Sequence, residues 1–336
     1  MSCKQALIIA EAGVNHNGDM DLACKLVDAA ADAGADLVKF QTFSTDALVS
    51  RDAPKADYQK RETGANESQF EMLRKLELSV EDHRLLMERC RNRAIGFFST
   101  GFDLKSVDFL NSLGFARHKI PSGEITNYQY LRKIGSFGKE VLLSTGMADL
   151  AEIEAAISLL EESGTPRNLI TALHCTTEYP TPMEEVNLRA MRAIGEAFGV
   201  RVGYSDHTLG IEIPIAAVAM GATVIEKHFT LDRNLPGPDH QASLEPDELM
   251  RMVRAIRNVE VAFGDGIKRP TPAELRNKSI ARKSVFIVGG VRKGESFTLK
   301  NLGAKRPGTG VDPMMIPSLV GKISDRDYKD GDMLQL

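Results

Sequence analysis

Between residues 6 and 263, short apolar runs alternate with longer amphipathic stretches. The runs Leu7–Ala10, Leu37–Phe40, Ile95–Phe98, Ala116–Ile120, Val141–Leu143, Leu169–Leu173, Val200–Gly203 and Thr223–Ile225 read as strands. Between them the apolar positions recur at helical spacing. Leu22, Leu26, Val27 and Ala30 follow Asp19, and Ile153, Ala156, Ile157 and Leu160 follow the capping-box pair Asp149 and Glu152. Pro246 occupies a first helical turn ahead of Leu249, Met252, Val253 and Ile256. Strand–helix repeats of this kind build either a (β/α)₈ barrel or a doubly wound sheet. Eight of them within roughly 260 residues favour the TIM barrel.

The pattern changes after that point. Gly264 to Pro272 breaks helix, residues 273–281 read as a short helix, and a short apolar run, Val285–Val288, follows. Gly289, Gly290, Gly294, Gly303, Pro307, Gly308, Gly310, Pro313, Pro317 and Gly321 then punctuate the chain every few residues. The predicted organisation is a barrel over 1–265, a linker over 266–281 and a small loop-rich module over 282–336.

Composition narrows the function classes. The 336 residues are 43% hydrophobic and 26% charged, ordinary values for a soluble globular protein. A formal net charge of −4 offers no general attraction to nucleic acid, and no apolar stretch is long enough for a membrane span. Met1 to Gln5 is polar and leads directly into an apolar strand, unlike a signal peptide. Cys3, Cys24, Cys90 and Cys175 lack metal-ligand spacing and read as reduced thiols, so a cytoplasmic location is expected.

Barrel chemistry sits at the carboxyl ends of the strands, and nearly every predicted strand here ends in polar groups. In order these are Glu11 with Asn15-His16-Asn17-Gly18; Lys39 and Gln41; Ser99-Thr100; Lys119 with Ser122 and Glu124; Ser144-Thr145-Gly146; His174-Cys175-Thr176 with Tyr179; Ser205-Asp206-His207-Thr208; and Glu226-Lys227-His228. Single polar residues often end strands by capping the next helix, but that does not explain eight such endings. A lysine embedded in an apolar strand is costly unless an anion or another partner compensates it. Lys39 and Lys119, with Thr100, Ser122, Ser144 and Ser205, suit a phosphate and a carboxylate; a Schiff-base lysine is the rival reading. His207 and His228, on neighbouring strands, make a plausible site for a divalent metal with positions left open for Lewis-acid chemistry.

These segments resemble the N-acetylneuraminate (sialic acid) synthase family along essentially the whole chain. The similarity lies in Ala10–Gly18, Val38–Thr42, Lys119–Glu124, Ser144–Met147, His174–Pro182, Gly203–Thr208, Glu226–Thr230 and Gly237–His240. The tail from Ala281, with Lys305-Arg306-Pro307-Gly308-Thr309-Gly310, resembles the family's antifreeze-like (SAF) domain, a small β-rich unit. One departure is Gly101, where the family has proline, and a looser loop is expected there.

The resemblance implies that Lys39, Lys119, Ser122, Thr100, Ser144 and Ser205 hold phosphoenolpyruvate, and that His207 and His228 bind Mn²⁺ or Mg²⁺. Gln41, Glu124, Tyr179 and Asp239 would contact an open-chain N-acetyl amino sugar, and Glu11 matches an acidic position at the active-site mouth. Arg306 would reach the sugar in the partner of a domain-swapped homodimer. The methylene carbon of phosphoenolpyruvate would attack the sugar aldehyde, water activated by the metal or Glu124 would add to the resulting oxocarbenium, and phosphate would leave by C–O cleavage. The favoured sugar is N-acetylmannosamine, giving N-acetylneuraminate. The alternative is a 2,4-diacetamido-2,4,6-trideoxymannose, giving a legionaminic acid. A different phosphoenolpyruvate or pyruvate aldolase-type lyase, or a binding protein without catalysis, are the competing readings.

Overall fold

The structure, a computed structural model, describes residues 5–51, 53–55 and 68–335. Cys3 and most of the polar N-terminal segment lie outside them; Cys24, Cys90 and Cys175 are free thiols. The chain divides into two compact units, 1–265 and 266–336.

The first unit holds eight parallel strands: β1 (Leu7–Gly13), β2 (Leu37–Thr42), β3 (Gly96–Gly101), β4 (Arg117–Ile120), β5 (Glu140–Ser144), β6 (Ile170–His174), β7 (Arg201–Asp206) and β8 (Val224–His228). They are joined in the order β3-β2-β1-β8-β7-β6-β5-β4. This is a nearly closed, TIM-barrel-like sheet whose ladder ends on the consecutive strands β3 and β4. The buried Tyr130 hydroxyl spans that seam, donating to Gly101 O and, at 3.5 Å, to Lys119 O.

All eight apolar runs are strands, and most continue into the polar residues that follow them. The two-residue period sorts each strand. Ile8, Ala10, Val38, Phe40, Tyr204 and Ile225 pack outward against the helices on one side of the barrel, and Ile120, Val141, Leu143, Ile170 and Ala172 do so on the other. Ile9, Phe98, Leu142, Leu173 and Val224 point inward and plug the barrel. On β1, β3, β5 and β8 the next inward residues are polar, Glu11, Thr100, Ser144 and Glu226, so the plug becomes the floor of a site.

The helices form where capping and amphipathic spacing specify them. Asp19 accepts hydrogen bonds from Asp21 N and Leu22 N at the start of Met20–Asp32, which buries Ala23, Leu26, Val27 and Ala30. Asp149 and Glu152 form a reciprocal capping box on Leu150–Ser163, and Pro246 opens Pro246–Ala262. Among the described residues, two short helices, Thr45–Leu48 and Gln69–Arg74, interrupt the connection between β2 and Val80–Asn92. Gly101 does not loosen a loop. It ends β3, where an added Cβ would lie 3.0 Å from Val107 N.

In the second unit, β9 (Ser284–Ile287) pairs antiparallel with β10 (Leu302–Lys305). Val285, Ile287, Val291, Phe297, Leu302, Leu319, Tyr328 and Leu334 form a separate core. Residues 266–281, expected as a linker, fall within this unit and carry the helix Pro272–Ala281, capped by Thr271 and Glu274.

Candidate active site

A cavity of about 400 Å³ opens at the carboxyl ends of the barrel strands. Its lining includes Glu11, Lys39, Gln41, Thr100, Lys119, Ser122, Ser144, Tyr179, Ser205, His207, His228 and Asp239. Twelve of the residues singled out from sequence are thus brought to one place. Glu124 is not in that lining. It follows the lining residues Ser122 and Gly123, and its carboxylate accepts a hydrogen bond from Asn127 Nδ2 at 2.6 Å. Partial burial raises its pKa. Arg306 is in the second unit, where its Nε donates to Ala281 O at 2.9 Å.

The floor is a buried charge cluster. Lys119 Nζ lies 2.9 Å and Lys39 Nζ 3.6 Å from Glu226 Oε1. Lys39 also pairs with Glu11 Oε2 at 2.7 Å and donates to Thr100 Oγ1 at 2.9 Å. Ser205 Oγ donates to Glu226 Oε1 at 3.3 Å. Burial opposes the charge on Glu226, but the two ammonium groups outweigh it and hold the carboxyl down at about 2. For Glu11, burial outweighs Lys39 and pushes the pKa up to about 7, with Glu226 adding to the rise. The floor thus sets two lysines against Glu226 and a Glu11 carboxyl whose ionisation burial disfavours, which suits it to receive an anion.

Glu226, which the sequence places at a strand end without assigning it a role, is a functional residue of this floor. The available signal was parity: it stands two residues before His228 on the same strand and so faces the same interior.

Above the floor, the His207 and His228 rings lie 5.5 Å apart between centroids, and Tyr179 packs 4.1 Å from the His207 ring. The His207 Nδ1–H donates to Thr176 O at 2.6 Å, which leaves the lone pair on Nε2. Burial pushes His207 down to about 4 and His228 well below its usual value. Both imidazoles are neutral near pH 7. His228 Nδ1 is buried with no hydrogen-bond partner among the described residues, and Asp239 Oδ2 lies 3.9 Å from it. Among the described residues no group of three or more His, Cys, Asp or Glu side chains is arranged to hold a metal ion; His207 and His228 by themselves offer two neutral ring nitrogens, donors of a kind that suits a divalent cation.

Two glycines allow the side chains to converge. Gly13 takes φ +54°, and a Cβ there would stand 3.3 Å from Glu11 Oε1 and 3.5 Å from both Asp239 Oδ2 and Gln41 Nε2. At Gly146 a Cβ would collide with Thr177 Oγ1 at 2.4 Å and Ser122 Oγ at 2.8 Å. Its absence lets the Gly146 N–H donate to Ser122 Oγ at 3.0 Å.

The NeuB family model matches residues 26–268. An N,N'-diacetyllegionaminic acid synthase of Campylobacter jejuni is 52% identical over 332 residues, covering 99% of both chains. A protein of the same name from Legionella pneumophila is 49% identical, covering 99% of this chain and 94% of that one. Among solved structures, the N-acetylneuraminic acid synthetase of Leptospira borgpetersenii superposes with a TM-score of 0.70 at 36% identity, covering 81% of this chain and 90% of that one. With a matching family model over most of the barrel and half-identical relatives along its full length, the chain belongs to the NeuB family of sialic-acid-type, nonulosonic acid synthases.

Proposed function

We propose that the chain condenses phosphoenolpyruvate with an open-chain 2,4-diacetamido-2,4,6-trideoxymannose to give N,N'-diacetyllegionaminic acid and phosphate. The observation that carries the reaction class is the buried floor, where Lys39, Lys119 and Ser205 converge on one carboxylate oxygen beneath two neutral histidines. For the sugar, the relatives favour the diacetamido substrate over the N-acetylmannosamine preferred from sequence. The 52% and 49% identical relatives carry the legionaminic name, whereas the N-acetylneuraminic acid synthetase stands at 36%.

In this reading Lys39 and Lys119 neutralise the phosphate and carboxylate of phosphoenolpyruvate, and Thr100, Ser122, Ser144 and Ser205 orient them. Gln41, Tyr179 and Asp239 hold the sugar so that its aldehyde carbon faces the phosphoenolpyruvate methylene. That face-to-face placement supplies much of the rate by proximity. His207 and His228 would hold Mn²⁺ or Mg²⁺, which when bound supplies Lewis-acid polarisation of an aldehyde oxygen. Attack of the methylene carbon makes the new C–C bond and leaves positive charge on the enol-ether carbon. Water adds there and gives up a proton, and the tetrahedral adduct releases phosphate by C–O cleavage. Glu11 on the floor and Glu124 beside Ser122 are the carboxylates proposed to hold and move that proton. The C-terminal unit is read as an antifreeze-like module, shared across a swapped homodimer and bringing Arg306 to the partner subunit's sugar.

The test is phosphate release from phosphoenolpyruvate with each sugar, with and without Mn²⁺. Phosphate release with neither sugar would refute the synthase reading. Better turnover of N-acetylmannosamine would refute the choice of sugar. Full turnover in excess chelator, with metal content near zero, would refute the metal.

A further inference from the structure

The cavity is built from two chemistries. Lys39, Gln41 and Phe43 are spaced two apart along β2 and its continuation, so they rise from floor to mouth on one face. Thr100 on β3 and Phe102 just past its end repeat that step beside them. Over the charged floor this side turns mostly apolar, lined by Phe43, Leu48, Val49, Met72, Leu73 and Phe102, with Gln69 the polar exception on the same helix as Met72. The helices Thr45–Leu48 and Gln69–Arg74, which interrupt the strand–helix repeat, supply much of it. The wall is packed from behind: Val14, Phe43 and Leu76 are buried, with Leu48, Leu73 and Phe102 against them. The Phe43 and Phe102 rings meet edge to face at 6.3 Å.

We propose that this apolar wall selects the sugar by receiving the methyl-bearing tail of a 2,4-diacetamido-6-deoxy aldose. The proposal rests on the synthase reading above and assigns its sugar selectivity to particular residues. The lysines draw the anionic substrate to the floor, so the second substrate lies between floor and mouth, beside Gln41 and Asp239. A deoxy methyl and an acetamido methyl gain by leaving water for such a surface. The terminal hydroxyls of N-acetylmannosamine would lose water against Phe43, Leu48, Val49, Met72, Leu73 and Phe102, where Gln69 is the one polar side chain on that wall among the described residues, a penalty that falls on the wrong substrate.

Val49→Thr and Met72→Gln test this, because each keeps the side chain's approximate size while adding polar atoms. Val49 is half-buried, so its replacement by an isosteric threonine is compatible with folding. For the wild type and both variants, kcat/KM is measured with the diacetamido sugar and with N-acetylmannosamine at saturating phosphoenolpyruvate. The ratio of the two values cancels the fraction of active protein. The wild type should prefer the diacetamido sugar, and each variant should lose about ten-fold or more of that preference. The KM for phosphoenolpyruvate, bound at the floor, should hold steady. A wild-type preference that survives in both variants to within about two-fold, well below the ten-fold expected for one methyl-sized contact, would overturn the role of the wall. A wild type that prefers N-acetylmannosamine would instead refute the sugar reading, and this inference with it.

Discussion

Lys227→Met tests how the two histidines are held. Lys227 and Asp206 face away from the barrel interior, and both side chains are wholly buried. Lys227 Nζ lies 2.5 Å from Asp206 Oδ2 and also donates to Thr208 O. Asp206 accepts from Thr208 N at 3.1 Å and from Thr208 Oγ1 at 3.0 Å. The pair therefore ties β8 to the turn on either side of His207. Methionine retains most of the aliphatic stem, so the perturbation is chiefly the lost ammonium. Removing one member of a buried pair typically costs about 3–5 kcal/mol. The two Thr208 bonds still solvate the stranded carboxylate, which argues for the lower end, about 3 kcal/mol. At about 2–4 °C per kcal/mol for a unit of this size, the barrel transition should fall by roughly 6–12 °C in thermal unfolding followed by far-ultraviolet circular dichroism. Adding Asp206→Leu should recover most of the loss, since an apolar replacement of both partners is often neutral or better. Because His207 lies inside the tethered turn, Mn²⁺ affinity should stay weakened by about 10–100-fold in both proteins, even where stability returns. A fall of less than about 2 °C in the single variant, or a double variant less stable than it, would refute this account of the pair.

Other expectations follow from single residues. Lys119→Ala should lose roughly 2–5 kcal/mol of interaction with phosphoenolpyruvate, and an unchanged KM for that substrate would count against its place on the floor. His118 is buried beside Asn111 and held near 4, with burial as the main cause and Lys139 adding to it. Between pH 6.5 and 4 the unfolded chain binds the extra proton, so the stability contributed by His118 is complete above that window and declines as pH falls through it. Moving from pH 7 to pH 5 should cost about 2 kcal/mol through this residue, an amount that His118→Gln should abolish; equal losses in both proteins would refute it. Mixed Arg306→Ala and Lys119→Ala proteins should form heterodimers with one intact site and more activity than the two variants separately. Verified subunit exchange without recovered activity would refute action in trans.

Much of the barrel was legible in the linear pattern, because a parallel strand covered on both faces must be a short, continuous apolar run. Asp19, Asp149 with Glu152, and Pro246 marked helix starts because capping depends only on near neighbours. Lys39, Lys119, His207 and His228 stood out for a related reason: polar groups at strand ends are conspicuous against the apolar runs that precede them. Parity along β8 even carries the direction of Glu226 and its separation from Lys227.

Tertiary closure decided which of those groups meet. Glu226 joins Lys39 and Lys119 only because the curved sheet brings β2, β4 and β8 around one interior, although these residues are far apart in sequence. Pairing of β1 with β2 placed Glu11 against Lys39, whereas the Glu124 carboxylate is held by Asn127, a neighbour three residues along the chain. The apolar wall was hidden for a different reason. Leu48, Val49, Met72 and Leu73 have the composition of ordinary core residues, and their exposure to a cavity depends on where two short helices dock. Sequence determines which side chains a strand or helix presents on each face; packing determines what those faces meet, and charge pairing and ligand selectivity are properties of that meeting.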